Sequence, residues 1–441
     1  MRLPFCSRTN IKNGCICCTL RADLLREVAK MAQAGKFDLC VIESTGISEP
    51  MQVAETFAVT LADLLAQQGL PQEAAQTLPK DDLDLIKQAE SLKSLARVDT
   101  LVTVIDAASF FDTFDNARAL SEEYGDDVDE NDQRSIANLM IDQIEFANVI
   151  VVNKIDLVSK ATLDKVLAVV KKLNPGAFIV ESTRSAVPLD LLLNTNMFDM
   201  AKVANQAGWL QSLNESIKPE TLEYGVGSVV YRQRRPFHPK KFFDLVNALW
   251  SVEESGLQID EHGGDGEEDA EEGEGADEEE LAEEEPAELT DEEKAAELAK
   301  AEALLERIEQ ARKALNEARK QSAFAGVLRS KGFVWLTGKK SRNDNICFWS
   351  GAGAVLSIGP EGPWFCLRPR ETWPDDTAGI LADIGDHEHG DRRQEIVFIG
   401  IDIDKARLFS ALDRCLVTDD EWANAEELED PMLAWEAGEQ K

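Results

Sequence analysis

Three short apolar runs, each closing on a polar residue, set the tightest limit on how this chain folds. Phe37-Asp-Leu-Cys-Val-Ile leads to Glu43, Leu101-Val-Thr-Val-Ile to Asp106, and Asn148-Val-Ile-Val-Val to Asn153. Runs of this length, rich in β-branched residues and without alternation, read as strands buried on both faces. Stretches with helical patterning separate them, roughly Leu20 to Ala34, Leu83 to Leu95 and Ala137 to Glu145. Strand and helix in alternation predict an α/β unit with a parallel sheet. Ligands of such sheets bind beyond the carboxyl ends of the strands, which is where Glu43, Asp106 and Asn153 fall.

The character changes near Tyr224. Val226 to Tyr231, Val327 to Leu336, Cys347-Phe-Trp, Gly353 to Ile358 and Glu395 to Ile401 read as strands, with helices over Phe242 to Trp250 and Asp404 to Cys415. The expected organisation is a first domain over 1–200, a smaller α+β domain over 224–418, and an acidic tail over 419–441. A segment over 253–321 interrupts the second domain. Between Glu253 and Ala299 there are 23 Asp or Glu and one Lys, so this stretch carries much of the net charge of -37. Its first part has almost nothing to bury and is expected to be disordered, Gly263 to Glu285 in particular. Its second part is expected to be helical. Thr290 and Glu293 have capping-box spacing, and Leu298, Ala301, Leu305 and Ile308 recur at heptad-like intervals. Such a segment reads as a solvated insertion or as a partner-docking arm.

Hydrophobic residues make up 44% of the 441, enough for sizeable cores. The negative balance argues against nucleic acid or an anionic membrane as partner. No apolar run is long enough to span a bilayer, and Met1 to Phe5 runs into polar residues rather than a signal peptide. Of eight cysteines, Cys15, Cys17 and Cys18 fall within four positions, a poor pattern for disulfides. A reducing, cytoplasmic setting is expected, where clustered thiols point to metal or redox chemistry.

Three motifs carry chemistry. In Gly14-Cys15-Ile16-Cys17-Cys18 the thiolates are soft ligands suited to zinc or Cu(I). Three are one short of a closed structural zinc site, and an open site suits a carrier that must release its cargo. Asn153-Lys154-Ile155-Asp156, directly after an apolar strand, resembles the tetrad that reads the base in guanine-nucleotide proteins. There the aspartate accepts hydrogen bonds from guanine N1 and N2, the lysine stem lies over the ring and the asparagine ties the loop. Buried polar groups left unpaired by the wrong base make such a site selective. In Glu43-Ser44-Thr45-Gly46, an acid at a strand end can hold Mg2+ through water, and Gly46 lets the backbone approach a terminal phosphate.

Asn13 to Leu20 (NGCICCTL), Glu43 to Pro50 (ESTGISEP), Gln143 to Leu157 (QIEFANVIVVNKIDL), Pro236 to Pro239 (PFHP) and Lys331 to Leu336 (KGFVWL) resemble the CobW family of metal-handling GTPases, in order and spacing, along nearly the whole chain outside the acidic insertion. The resemblance implies a P-loop GTPase-like α/β parallel sheet followed by a smaller α+β domain. It makes Cys15, Cys17 and Cys18 the metal ligands, Glu43 and Gly46 the catalytic-side residues, and Asn153, Lys154 and Asp156 the base-reading loop. Ser182 and Thr183 lie where the family has a further base-side loop. The implied function is GTP-linked delivery of zinc to a zinc-dependent client protein. Cobalt handling for a corrinoid pathway, or a metal-binding interaction protein without nucleotide turnover, are the competing readings.

One departure from the family pattern is plain. The family places a strand and the phosphate loop Gly-x-x-Gly-x-Gly-Lys-[Ser/Thr] before the cysteines, and no stretch here matches it. The nearest Gly-Lys pair, Gly338-Lys339, lacks the spaced glycines. The expectation is a sheet incomplete at its N-terminus and poor GTP hydrolysis by these 441 residues alone. His387 and His389, in Asp386-His-Glu-His, are further candidate metal ligands, although histidines in a loop are more often solvated. His238, between Phe237 and Pro239, reads as structural.

Overall fold

The computed structural model describes residues 34–43, 96–116, 135–200, 224–254, 291–338, 343–374 and 377–432, with isolated positions at 28, 30, 31, 54, 202, 207, 208 and 210. Two sheets organise them. The first is parallel, in the order β1 (Val102–Asp106), β2 (Val149–Asn153), β3 (Phe178–Glu181). Its register sets Asp106 opposite Asn153. Helices α1 (Phe110–Asp115) and α2 (Ile136–Glu145) lie between β1 and β2, and α3 (Lys160–Leu173) between β2 and β3.

Local sequence explains these helices. Ser135 and Ser159 cap α2 and α3, each accepting a backbone N–H at 3.1 Å, from Asn138 and Thr162. In α2 the buried side is Ala137, Leu139, Ile141 and Ile144; in α3 it is Val166, Val169, Val170 and Leu173. That spacing lays one apolar stripe of each helix on the sheet. Asn174, fully buried at the end of α3, donates its amide to the carbonyls of Ile144, Glu145 and Ala147 at 2.7, 3.2 and 2.9 Å. Its side-chain oxygen accepts from Gly176 and Ala177 at 3.1 and 3.0 Å. One side chain thus fixes the end of α2, the end of α3 and the entry to β2 and β3.

The second sheet has six strands: β4 (Val226–Gln233), β5 (Ser251–Glu254), β6 (Val327–Val334), β7 (Asn345–Ala352), β8 (Val355–Pro363) and β9 (Gln394–Ile401). The spatial order is β4-β9-β6-β7-β8-β5, antiparallel except for the β5–β8 pair. Along β9 the alternation works on both faces. Ile396 and Phe398 pack under α4 (Pro239–Asn247) and α7 (Lys405–Asp413), in a core that also holds Phe242, Trp250, Trp349 and Leu408. Val397 and Ile399 turn the other way, with Val226 and Ala352, into one core with Ile105, Ile150, Val152, Phe110 and Phe114 of the first unit.

Polar ties accompany that shared core. Arg329 of β6, 1% exposed, meets Glu145 of α2, 2% exposed, at 3.2 Å. The β7–β8 turn docks on α1: Ala354 N–H donates to the Phe114 carbonyl at 3.0 Å, and Gly353 sits at φ 55°. A Cβ at Gly353 would collide with that carbonyl, so both the turn and the close approach require glycine.

The structure corrects several sequence expectations. The run Phe37 to Ile42 is not a strand; Val41 is 74% exposed and Ile42 39%. A strand exists only as a ladder, and among the described residues β1 pairs with β2 alone, so these apolar residues have no neighbour to bond. The third strand is instead Phe178–Glu181, which the sequence reading passed over. Helix α4 starts at Pro239 with His238 as its cap, ahead of the expected Phe242, and β8 begins at Val355, leaving Gly353 for the turn. His238 is structural: its Nδ1 accepts the Lys240 N–H at 3.1 Å. Burial lowers its imidazole pKa, which keeps that lone pair available.

The helical half of the insertion is α5 (Asp291–Gln321), 31 residues or about 46 Å of helix. Its C-terminal half meets the body: Ile308, Ala311 and Leu315 face Ser251 and Ala354 across a small cavity. Asn316 donates to the Asp115 carbonyl at 2.6 Å, Lys320 pairs with the Asp115 carboxylate at 2.7 Å, and buried Arg319 donates to the Val327 carbonyl at 2.8 Å. Leu304 and Leu305 stand 55% and 63% exposed. Gly263 to Glu285 and Thr290 lie outside the described residues. Two shorter helices among the described residues are α6 (Ala378–Ile384) and α8 (Asp419–Ala423).

Candidate functional site

The carboxyl ends of β1, β2 and β3 form the candidate site, and side chains of one loop cross-link them. Asn153 ends β2. Its amide donates to Ser185 Oγ at 2.9 Å and its Oδ1 accepts the Ser185 N–H at 2.9 Å. This two-way tie holds Arg184 and Ser185 at φ 52° and 55°, a left-handed pair that non-glycine residues rarely adopt without support. Ser182 extends the β3 ladder, its N–H donating to the Val152 carbonyl at 2.8 Å, while its own carbonyl accepts from Ile155 at 3.3 Å.

Lys154 is also left-handed, at φ 59° and ψ 33°, where it caps the 3-10 turn Ile155–Leu157. Its ammonium reaches back to Asp106 Oδ2 at 2.6 Å. Asp106 Oδ1 accepts the Ala108 N–H at 2.8 Å. Burial pushes the Asp106 carboxyl up, but the Lys154 bond and charge and the N–H groups of Ala108 and Ser109 outweigh it. The carboxyl is held below its ordinary value and stays ionised. Asp156 differs from its neighbours. It is exposed and makes no hydrogen bond or ion pair among the described residues, so both carboxylate oxygens are free to accept.

Ser182 Oγ is the second unspent group. Ser182 is 3% exposed and its hydroxyl has no partner among the described residues. An unpaired buried hydroxyl costs about 1–3 kcal/mol and marks a place where a ligand or water completes the bonding. The arrangement therefore offers a pinned loop, a bidentate acceptor and a hydroxyl, which is the complement of a planar base with adjacent donors.

Of the expected catalytic-side residues and cysteine ligands, Glu43 alone is described. Glu43 is exposed on an extended stretch outside any sheet. Gly46, Cys15, Cys17 and Cys18 lie outside the described residues. Among the described residues no three His, Cys, Asp or Glu side chains come together to hold a metal. His389 is occupied otherwise: its ring lies 5.3 Å from Trp335 and 5.0 Å from Trp422 of α8. Of two partners of the loop, Asp106 was placed from sequence at a ligand-facing strand end but without a role, and Ser185, four residues beyond β3, was not singled out; only the fold pairs them with Lys154 and Asn153.

Comparison with known proteins bears on both units. Residues 6–75 and 71–181 match the family model described as CobW/HypB/UreG, nucleotide-binding domain. Residues 300–416 match the cobalamin synthesis protein cobW C-terminal domain. Together the two models cover more than half of the chain. The chain is similar to zinc-regulated GTPase metalloprotein activator 1 of Dictyostelium discoideum, at 32% identity over 93% of this chain and 66% of that one. It is similar to zinc chaperone CobW of Pseudomonas aeruginosa at 24% identity, over 42% of this chain and 43% of that one. This chain thus spans less than two thirds of the length of these relatives. The likeness to the Zn(II)-bound YjiA GTPase of E. coli is looser, with 15% identity and a TM-score of 0.24 over 81% of this chain and 75% of that one.

Proposed function

The chain belongs to the CobW family and carries both its nucleotide-binding and its C-terminal domain, and from that premise we propose that it is a GTP-linked metallochaperone that carries zinc to client metalloproteins. The observation that carries the nucleotide half is the division of labour in Asn153-Lys154-Ile155-Asp156. Asn153 and Lys154 are spent on holding the loop, and Asp156 is left unpaired. A carboxylate with two free acceptors matches the N1–H and N2–H2 donors of guanine. Adenine offers an acceptor at N1 and no amine at C2, so it would leave the carboxylate unpaired. Ser182 Oγ, buried and unpaired, supports a base seated beside this loop.

Roles for the remaining groups follow the chemistry of their donors. Cys15, Cys17 and Cys18 bind the zinc cargo as thiolates, in a site open enough to release it. Glu43 holds Mg2+ through water, and Gly46 lies on the phosphate side. When bound, Mg2+ would neutralise charge on the phosphates. The names of the Dictyostelium and Pseudomonas relatives, a zinc-regulated GTPase metalloprotein activator and a zinc chaperone, support zinc over cobalt as cargo. Among the described residues, no helix is long and apolar enough to cross a membrane. A cytoplasmic carrier is the setting we propose.

Asp156→Asn is the direct test of base reading. An amide presents one acceptor and one donor, which suits the C2 carbonyl and N1–H of xanthine and mismatches guanine. Affinity for guanosine nucleotides, measured by competition against a fluorescent analogue, is expected to fall about 100-fold or more while xanthosine nucleotides gain. Equal guanine affinity in the variant would remove Asp156 from the site. For the cargo, replacing Cys15, Cys17 and Cys18 together with serine is expected to abolish tight zinc binding in a chromophoric competition titration. In the unaltered chain, Co(II) should show sulfur-to-metal charge-transfer absorption. Retained zinc affinity in the triple variant would place the metal elsewhere.

A further inference from the structure

We propose that Asp106 is a positioning residue for base recognition, a clamp that lays the Lys154 side chain across the ends of β1 and β2 as a floor for the base. The inference rests on the reading of Asn153-Lys154-Ile155-Asp156 as the base loop and adds a residue from a different strand. Three observations carry it. Lys154 belongs to the end of β2, yet its ammonium is bonded to the last residue of β1 at 2.6 Å. Neighbouring strands lie about 4.8 Å apart, so the four methylenes of Lys154 must bridge that gap. Asp106 cannot follow a wandering lysine, because its other oxygen is fixed by the Ala108 N–H at 2.8 Å. The backbone is fixed from the opposite side. Asn153 is tied to Ser185 beyond β3, and Ala107 N–H donates to the Asn153 carbonyl at 3.0 Å.

The chemistry follows from the two ends of lysine. Its stem is apolar and packs well against a flat ring, while its ammonium seeks an anion. Left free, that ammonium would sample many rotamers, and ordering it on ligand binding would oppose affinity. Asp106 orders it beforehand. The pair is half-exposed, at 50% and 31%, so its contribution to fold stability is small. Its effect belongs instead to ligand affinity, through preorganisation.

A double-mutant cycle with a readout in nucleotide affinity separates this role from a structural one. Asp106→Asn is expected to weaken guanosine diphosphate binding about tenfold, measured by calorimetry, with the melting temperature changed by no more than about 2 °C. Lys154→Met keeps the stem and removes the ammonium. Adding Asp106→Asn to Lys154→Met should then cost no further affinity, because Asp106 acts only through that ammonium. A second measurement needs no nucleotide. The rate at which an amine-reactive ester acylates Lys154, followed by mass spectrometry, should rise several-fold in Asp106→Asn. Unchanged affinity in Asp106→Asn, additive losses in the double variant, or an unchanged acylation rate each overturn the clamp. Failure of the unaltered chain to bind any guanosine nucleotide overturns the base loop itself and the clamp with it, an outcome distinct from the other three.

Discussion

Replacing Arg329 with alanine is expected to destabilise the protein by about 3–5 kcal/mol, the range for breaking a buried ion pair from one side. Arg329 is 1% exposed. It donates to both oxygens of Glu145, at 3.2 and 3.5 Å, and to Ser350 Oγ at 3.1 Å, with the Asp142 carboxylate 3.9 Å away. Glu145 is 2% exposed, so without the guanidinium its carboxylate stands in a dry interface with only the more distant charge of Lys331 to offset it. Chemical denaturation should show the loss as a lower midpoint with a similar slope. The companion experiment is Arg329→Met with Glu145→Met, which replaces both charges by apolar groups of similar reach. That double variant should recover most of the stability, since desolvating the pair offsets much of its attraction. If Arg329→Ala unfolds at the wild-type midpoint, the two units are not joined at this point.

Asn174→Ala is expected to cost about 3 kcal/mol or more, an unusually large effect for a polar residue in a loop. The side chain is fully buried and serves three carbonyls and two N–H groups. Each buried group left unpaired costs about 1–3 kcal/mol, and the total is softened by water entering the space. Asn174→Asp is the telling control. It keeps the acceptor for Gly176 and Ala177 but sets a carboxylate against the Ile144, Glu145 and Ala147 carbonyls. It should rescue little or nothing. A thermal shift assay of both variants decides the matter, and a loss under 1 kcal/mol in Asn174→Ala would show that the turn after α3 is held by other means.

Much of the fold was legible because the signals were local. The apolar runs at 102–106 and 149–153, the helix near Ala137 to Glu145 and the strands β4, β6 and β9 were read from the residues themselves, whereas α3 was not. Phe37 to Ile42 had the same composition and did not pair, because a strand depends on a neighbour that its own letters do not specify. Phe178–Glu181 pairs although it is only four residues long, since β2 supplies the ladder. In the candidate site, the loop from Asn153 to Asp156 could be read directly. Its supports could not. Ser185 lies 32 residues from Asn153, and Asp106 48 residues from Lys154. Nothing in a lone serine or aspartate announces such a pairing. Arg329 and Glu145 lie 184 residues apart, and only the placement of the two sheets together makes them a pair.

The common core behind that ion pair limits how the molecule could work as a machine. Val226, Ala352, Val397 and Ile399 fill the same interior as Ile105, Ile150 and Val152, with Phe114 bonded to the β7–β8 turn. A seam packed with side chains at interior density does not open like a jaw, because opening would expose the apolar surface of both halves at once. Conformational traffic between the strand ends and the second sheet must therefore run as small coordinated slips of packed elements, in the manner of meshed gears rather than of a hinge. The 31-residue α5, rooted on the body through its C-terminal half near Asp115, Ser251 and Ala354, then becomes a pointer, because a rotation of a few degrees at its root moves its far end by several ångströms.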